Sequence, residues 1–141
     1  MITAVDTNVL LDIFGADPEF GPRSRDGLRT CLREGKVLAC DAVWAETASV
    51  FPSSDAAREA MMRLGVEFGP IGIEAALAGG AAWRVYRRRG GRRQRVAADF
   101  LIGAHALQHA ERLLTRDRGF YRRHFTGLKV LDPARAQPGR S

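Results

Sequence analysis

The chain has 141 residues, enough for one domain with its own core, and its hydrophobic fraction of 45% is ordinary for a globular protein. No apolar run reaches the ~18 residues that a membrane span requires, and no secretory signal precedes the first predicted strand, so we expect a cytoplasmic protein with no membrane partner. Cys31 and Cys40 are the only cysteines, which excludes a disulfide scaffold.

The net charge of +6 is distributed unevenly along the chain. Residues 1–70 carry seven basic and eleven acidic side chains, whereas residues 71–141 carry fifteen basic and five acidic ones. Such an asymmetry indicates a polyanionic or acidic partner for the C-terminal half.

Apolar runs alternate with segments of helical periodicity throughout the chain. Strands are predicted at 2–6, 37–40, 66–68, 112–115 and 128–131. Helices are predicted at 8–14, 23–34, 42–50, 55–64, 73–87, 96–109 and 120–124. This alternation predicts an α/β fold, a three-layer sandwich with a mostly parallel central sheet of four to five strands. A single domain over 1–133 is followed by a polar tail at 134–141.

Local signals mark where several helices begin. Thr7 or Asn8 is expected to cap the first helix, and Asp41 and Asp55 are expected to cap two later ones. Asp12 is expected to be a cap or a surface residue.

One helix, 73–87, has an apolar row with a spacing of four residues. Leu77, Ala81 and Val85 make up this row, which predicts the face that packs on the core.

Four acidic residues are predicted to meet at one edge of the sheet. Asp6 ends the first strand, and Glu46 lies in the second turn of the helix that follows the second strand. Asp99 lies in the first turn of the long apolar helix, and Asp117 lies just past the fourth strand. Strand tips and the starts of the following helices share one edge of a parallel sheet, so all four acids belong there.

These acids predict a divalent metal site. Asp99 lies on a helical row of small and apolar residues, which turns it toward the covered side, and an unpaired buried carboxylate is costly. A hard cation would remove both this cost and the mutual repulsion of the acids. Oxygen ligands alone favour Mg²⁺ or Mn²⁺ over Zn²⁺. Thr7, Asn8 and Thr115 are expected to orient a carboxylate or a bound water.

Each acid also has a simpler interpretation when it is considered alone. Asp6 and Asp117 could cap helices, and Glu46 could be a solvated surface residue. Asp99 could be favoured by the helix dipole. None of these interpretations explains why all four residues fall at one edge.

These motifs together resemble a PIN-domain protein, and specifically a VapC-type ribonuclease toxin of a bacterial type II toxin–antitoxin system. The matching segments are Val5–Leu10, Glu46 in its helix, Ala98–Leu107 and Leu113–Phe120. The resemblance covers about residues 2–133. It implies a PIN-like fold in which Asp6, Glu46, Asp99 and Asp117 form the acidic metal site and Thr115 matches the small hydroxyl residue beside the last acid.

The resemblance also implies a function. It implies a metal-dependent endoribonuclease toxin that hydrolyses RNA phosphodiester bonds with Mg²⁺ or Mn²⁺, forms a homodimer and is inhibited by a cognate antitoxin. One alternative is a non-catalytic RNA-binding or regulatory PIN module. Another is a metal-dependent phosphatase with Asp6 as its nucleophile, but such enzymes usually carry a second Asp where this chain has Asn8.

Seven arginines within residues 84–95 form a predicted basic loop just before the helix that carries Asp99. The loop should overhang the acidic edge and guide the RNA backbone. The candidate RNA-binding residues are Arg87, Arg88, Arg89, Arg92 and Arg93. The loop could instead be merely solvated, or it could bind an acidic segment of the antitoxin.

Overall fold

Strands and helices alternate along the chain in the computed structural model, which describes residues 1–91 and 97–136. The strands are β1 (Ile2–Val5), β2 (Lys36–Ala39), β3 (Glu67–Phe68), β4 (Arg112–Leu114) and β5 (Val130–Leu131). The helices are α1 (Thr7–Phe14), α2 (Gly21–Glu34), α3 (Asp41–Ala48), α4 (Ser54–Leu64), α5 (Gly72–Arg88), α6 (Ala97–His109) and α7 (Arg118–His124).

The five strands of the described residues form one sheet in the order β3-β2-β1-β4-β5, and every neighbouring pair is parallel. The predicted α/β fold with a mostly parallel sheet is therefore confirmed. From β1 the chain moves outward to β3 on one side, and β4 and β5 lie on the other side. The direction of winding therefore changes between β1 and β4, and ligands of open α/β sheets gather at such a point.

The helices form two groups, as right-handed crossovers in opposite directions require. On one face, α1 packs against α2. On the other, α5 packs along α6, and α7 joins them through an aromatic cluster that includes Phe100 and Phe120, whose ring centroids are 5.3 Å apart. No helix among the described residues is both long enough and apolar enough to cross a membrane.

The face of α5 that packs on α6 differs from the one the sequence predicts. Leu77 and Val85 are exposed, and the buried positions are Ala75 and Gly79. A Cβ atom at Gly79 would lie 3.1 Å from the carbonyl oxygen of Phe100, so the two helices approach closely. The prediction is wrong because small residues, which carry little hydrophobic signal, permit this close packing.

The N-caps of three helices also differ from the prediction. Asp6 caps α1, which agrees with its simpler interpretation and not with the expected cap at Thr7 or Asn8, and the residue before Asp41 is the N-cap of α3. Ser53 caps α4, because its hydroxyl accepts a hydrogen bond from the backbone N–H of the third residue after it.

The chain remains packed beyond the last strand. Pro133–Arg135 forms a 3₁₀-helix against α2, and Ala136 is buried. The packed part of the chain therefore includes the first residues of the predicted tail, and residues 137–141 lie outside the described residues.

Candidate active site

Asp6 and Thr115 lie side by side at the carboxyl edge of the sheet, where β1 meets β4. The register of these strands pairs Val5 with Leu114, so the next residue of each strand comes into contact. Thr115 Oγ1 donates a hydrogen bond of 2.7 Å to Asp6 Oδ2, and the backbone N–H of Thr7 donates one of 2.7 Å to Asp6 Oδ1. The carboxylate is therefore held at both oxygens.

Burial dominates the electrostatics of Asp6, which is only 7% exposed. Loss of hydration raises the pKa of its carboxyl from 3.8 to about 6. Hydrogen bonds from Thr115, Thr7 and Tyr121 lower this pKa, while the negative charge of Asp99 raises it. Asp6 is thus a costly charge at neutral pH, and a cation beside it would be stabilised.

Glu46 joins this edge through Thr7. Thr7 is the first residue of α1, and its Oγ1 donates a hydrogen bond of 2.7 Å to Glu46 Oε1 on α3. The backbone N–H of the same threonine binds Asp6, so one residue contacts two of the acids. Glu46 is itself exposed and lies on the solvent side of the edge.

Tyr121 places the remaining two acids in the same region. Its side chain is fully buried, and its hydroxyl is hydrogen-bonded to Asp6. Burial and then the negative charges of Asp6, Asp99 and Asp117 raise the pKa of the tyrosine far above its ordinary value. Asp117 occupies the N-cap position of α7, but its side chain does not cap the helix. Three acids therefore act on one hydroxyl group.

The acids share this edge without forming a closed metal cage. Within residues 1–91 and 97–136, no group of three or more acidic, histidine or cysteine side chains is arranged to hold a metal ion. Neutral donors hold the acids instead, since hydroxyls bind both Asp6 and Glu46. The chemistry of the donors nevertheless fits Mg²⁺ or Mn²⁺, because they are carboxylate oxygens and one of them is desolvated.

Asn8 ties the turn of residues 115–117 to α1. Its Nδ2 lies 3.3 Å from Thr115 Oγ1 and 3.4 Å from Asp6 Oδ2, and its Oδ1 accepts the backbone N–H of Arg116 at 3.3 Å. The backbone N–H of Asp117 donates to Thr115 Oγ1 at 3.0 Å. The backbone of the turn is thus held by side chains that also contact Asp6.

Asp12 is buried, which contradicts its assignment as a cap or surface residue. Its carboxylate accepts two hydrogen bonds from Arg116, at 2.7 Å from Nε and 3.0 Å from Nη2, and one of 2.7 Å from Ser24 Oγ. The guanidinium lies 4.0 Å from the ring centroid of Phe20. The assignment is wrong because the partner that makes burial possible is supplied 104 residues later in the chain.

The basic segment is in part helical. Arg87, predicted at the junction of the helix and the loop, and Arg88, predicted in the loop, both lie in the last turn of α5, and Arg89 is its C-cap. Arg92 and Arg93 lie outside the described residues.

Aromatic contacts place the arginine end of α5 beside the start of α6. The Arg87 guanidinium lies 5.2 Å from the centroid of the Trp83 ring, and Trp83 stacks on Phe100 with centroids 5.9 Å apart. Tyr86 also contacts Phe100, with ring centroids 5.4 Å apart. Phe100 directly follows Asp99, so these contacts place the end of α5 beside the first turn of the helix that carries Asp99.

The sequence analysis does not identify two residues that the structure places at this edge. Tyr121 lies four residues after Asp117, the N-cap of α7, and this spacing of about one helical turn could have indicated that the two are close. Arg116 precedes Asp117, but no local pattern predicts that its partner is Asp12.

Comparison with known proteins agrees with this geometry. The sequence profile of the PIN domain matches residues 3–125. No curated protein matches the chain in sequence.

Several solved structures are similar over nearly the whole chain. VapBC2 from Rickettsia felis, bound to a DNA fragment from its promoter, has a TM-score of 0.72 at 17% identity, and the alignment covers 94% of this chain and 98% of that chain. VapBC-1 from nontypeable Haemophilus influenzae has a TM-score of 0.70 at 18% identity, with the same coverage.

A toxin–antitoxin complex from Klebsiella pneumoniae has a TM-score of 0.63 at 20% identity, and the alignment covers 93% of this chain and 97% of that chain. Identities this low show a shared fold. The sequence profile, in contrast, covers most of the chain and the acidic edge with it. The chain is therefore a member of the PIN domain family.

Proposed function

We propose that this protein is a VapC-type toxin that hydrolyses RNA phosphodiester bonds as a metal-dependent endoribonuclease. The observation that carries the proposal is the desolvated Asp6 carboxylate at the point where the winding of the sheet reverses, where Asp6, Asp99 and Asp117 all act electrostatically on the buried Tyr121 hydroxyl. Membership of the PIN domain family supports the same chemistry.

The acidic residues would hold Mg²⁺ or Mn²⁺, with Asp6, Asp99 and Asp117 as ligands and Glu46 on the solvent side. When bound, the ion supplies Lewis-acid activation of water and of the scissile phosphate. Thr115 and Tyr121 orient the Asp6 carboxylate by donating hydrogen bonds to it.

RNA would approach along the arginine end of α5. Arg87, Arg88 and Arg89 offset the negative charge of the acidic edge and attract the phosphate backbone. Arg87 is held against Trp83, which restricts the freedom of its side chain. We include Arg92 and Arg93 in the RNA-binding set on the sequence alone.

We further propose an antitoxin protein as the natural partner. The support comes from the structures of similar fold, one of which is described as a toxin–antitoxin complex. The fifteen basic residues of the C-terminal half would favour an acidic segment in such a partner.

A homodimer is also proposed, and the exposed face of α5 supports it. Ile73, Leu77 and Val85 are 70%, 63% and 42% exposed and follow one another along the helix. If two copies of α5 paired in antiparallel orientation, Ile73 would meet Val85, Leu77 would meet Ala81 and Glu74 would meet Arg84. Apolar and opposite-charge contacts would then form together.

A second candidate function is a non-catalytic RNA-binding or regulatory module. The observation that favours it is that no described group of three acids is arranged to hold a metal. Such a module would bind RNA without cutting it, and Asp99→Asn would change nothing.

The deciding experiment incubates the purified protein with labelled RNA pools in Mg²⁺, Mn²⁺ or EDTA. We expect cleavage by the wild type in either metal, none in EDTA, and a loss of at least about a hundredfold in Asp6→Ala and Asp99→Asn. Equal cleavage by the wild type and both variants would identify a contaminating nuclease. RNA binding without cleavage would favour the non-catalytic module.

A further inference from the structure

The Asp12–Arg116 pair joins a buried carboxylate to a partly exposed guanidinium, and the proposed chemistry does not use it. Arg116 lies between Thr115 and Asp117 in the chain, yet its guanidinium is turned toward α1 and not toward the acids. Two hydrogen bonds of 2.7 and 3.0 Å to Asp12 and the ring of Phe20 hold it there. The bond from Ser24 to the same carboxylate fixes Asp12 in turn.

An arginine at this position would compete with a divalent cation for the carboxylates of the proposed metal site if its guanidinium reached them. A guanidinium binds carboxylates in two-pronged pairs and remains charged at any working pH. The side chain is long enough to turn from its present place toward Asp117, the next residue in the chain. There it would neutralise the charge that a divalent cation needs.

We propose that Asp12 is a positioning residue that keeps the Arg116 guanidinium out of the acidic edge and so leaves the carboxylates to a divalent cation. This inference rests on the proposed function. It assigns Asp12 no contact with RNA or metal, because its carboxylate is occupied by Arg116 and Ser24.

Holding the turn does not require the Arg116 side chain. The backbone N–H of Arg116 is bound by Asn8, and that of Asp117 is bound by Thr115. The turn therefore keeps its support when the guanidinium is removed, so the position of the turn and the position of the guanidinium can be tested separately.

Other acids near Arg116 are already engaged. Asp17 and Asp132 act on it electrostatically. However, Asp17 accepts the backbone N–H groups of Glu19 and Phe20, and Asp132 pairs with Arg118 at 3.3 Å. Loss of Asp12 therefore frees the guanidinium, and Asp117, the next residue in the chain, then competes for it with Asp17 and Asp132.

The test measures Mn²⁺ binding by calorimetry on the purified full chain without RNA. We expect Asp12→Asn to weaken binding about tenfold or more, since the freed arginine competes with the cation. Arg116→Gln and the double variant Asp12→Asn/Arg116→Gln should bind Mn²⁺ within about threefold of the wild type, because neither contains the competing cation.

Ser24→Ala serves as the matched control. It removes a hydrogen bond from the same buried carboxylate without freeing Arg116, so it should lower the melting temperature and leave Mn²⁺ affinity unchanged. In the metal-free Asp12→Asn variant, NMR should show loss of the contact between the Arg116 Nε–H and the Phe20 ring.

Several results would overturn the inference. Equal losses of Mn²⁺ affinity in all three Asp12 and Arg116 variants would mean that the pair only stabilises the fold. If Asp12→Asn does not fold, a loss of affinity in Arg116→Gln alone would be decisive against it. Wild-type Mn²⁺ binding with unchanged affinity in Asp12→Asn would overturn this inference alone, whereas a wild type that binds no Mn²⁺ would overturn the proposed function as well.

Discussion

At the scale of single residues, Asp6 combines a buried position with a negative charge. Its neighbours supply hydrogen bonds from Thr115, Thr7 and Tyr121, but burial still outweighs them and leaves the pKa raised to about 6. A carboxylate whose charge is unfavourable in the metal-free protein is suited to bind a cation. Groups with such perturbed pKa values concentrate at functional sites.

This cost predicts an unusual pH dependence of stability. The folded state holds the Asp6 proton more tightly than the unfolded chain, because burial raises the carboxyl pKa from 3.8 to about 6. The stabilisation is therefore present at low pH and is lost as the pH rises through about 6. For the metal-free wild type we expect a contribution on the order of 2–3 kcal/mol to disappear between about pH 4 and pH 7.

Asp6→Asn isolates this contribution. The neutral amide does not titrate, so the variant should be more stable than the wild type at pH 7 and lose the advantage near pH 4. The measurement is urea unfolding in EDTA across this range, with the difference between the two proteins as the readout. A difference that stays constant with pH would contradict the prediction.

At the scale of elements, the contact between α5 and α6 sets the position of Asp99. A Cβ atom added at Gly79 would lie only 3.1 Å from the carbonyl oxygen of Phe100. Gly80 has no heavy atom within 4 Å of the corresponding position. Adjacent glycines of one helix therefore provide a matched pair.

The two substitutions should differ in their effect on stability. Gly80→Ala should stabilise the fold by about 0.5–1 kcal/mol, because alanine favours the helix. Gly79→Ala should be less stable than Gly80→Ala by about 1–2 kcal/mol, because its methyl group presses on α6. It should also slow the proposed RNA cleavage, since Phe100 follows Asp99. Equal unfolding midpoints for the two variants would show that the helices are not closely packed here.

The elements also show how far a sequence alone can predict this protein. Apolar runs and helical spacing predict the strands and helices, because each pattern is local. The order of the strands then brings Asp6 and Thr115 together at one edge of the sheet. The face of α5 could not be predicted, because Leu77 and Val85 show the stronger pattern while small residues make the contact. The pairing of Asp12 with Arg116 could not be predicted either, because it joins distant segments.

At the scale of the whole molecule, the exposed row on α5 predicts the state of association. We expect a dimer whose two α5 helices run antiparallel, so Leu77→Glu should shift it toward the monomer by placing a charge in an apolar contact. Sedimentation equilibrium measures this shift. Met62→Glu is the matched control, because Met62 is 69% exposed on α4, away from the row.

The proposed antiparallel register makes a sharper prediction. Glu74→Arg should weaken the dimer, because two like charges would then meet across the pair. The double variant Glu74→Arg/Arg84→Glu should restore it with the charges exchanged. A dimer that is indifferent to all of these changes would show that the copies meet elsewhere.

The span between Asp6 and its partner Thr115 has a consequence for biosynthesis. These residues lie 109 positions apart, and Thr115 and Tyr121 belong to the last part of the described chain. During translation, Asp6 emerges from the ribosome before Thr115 and Tyr121 have been synthesised. The Asp6 carboxylate therefore lacks two of its hydrogen-bond donors until residues 115–121 have been translated and folded against β1.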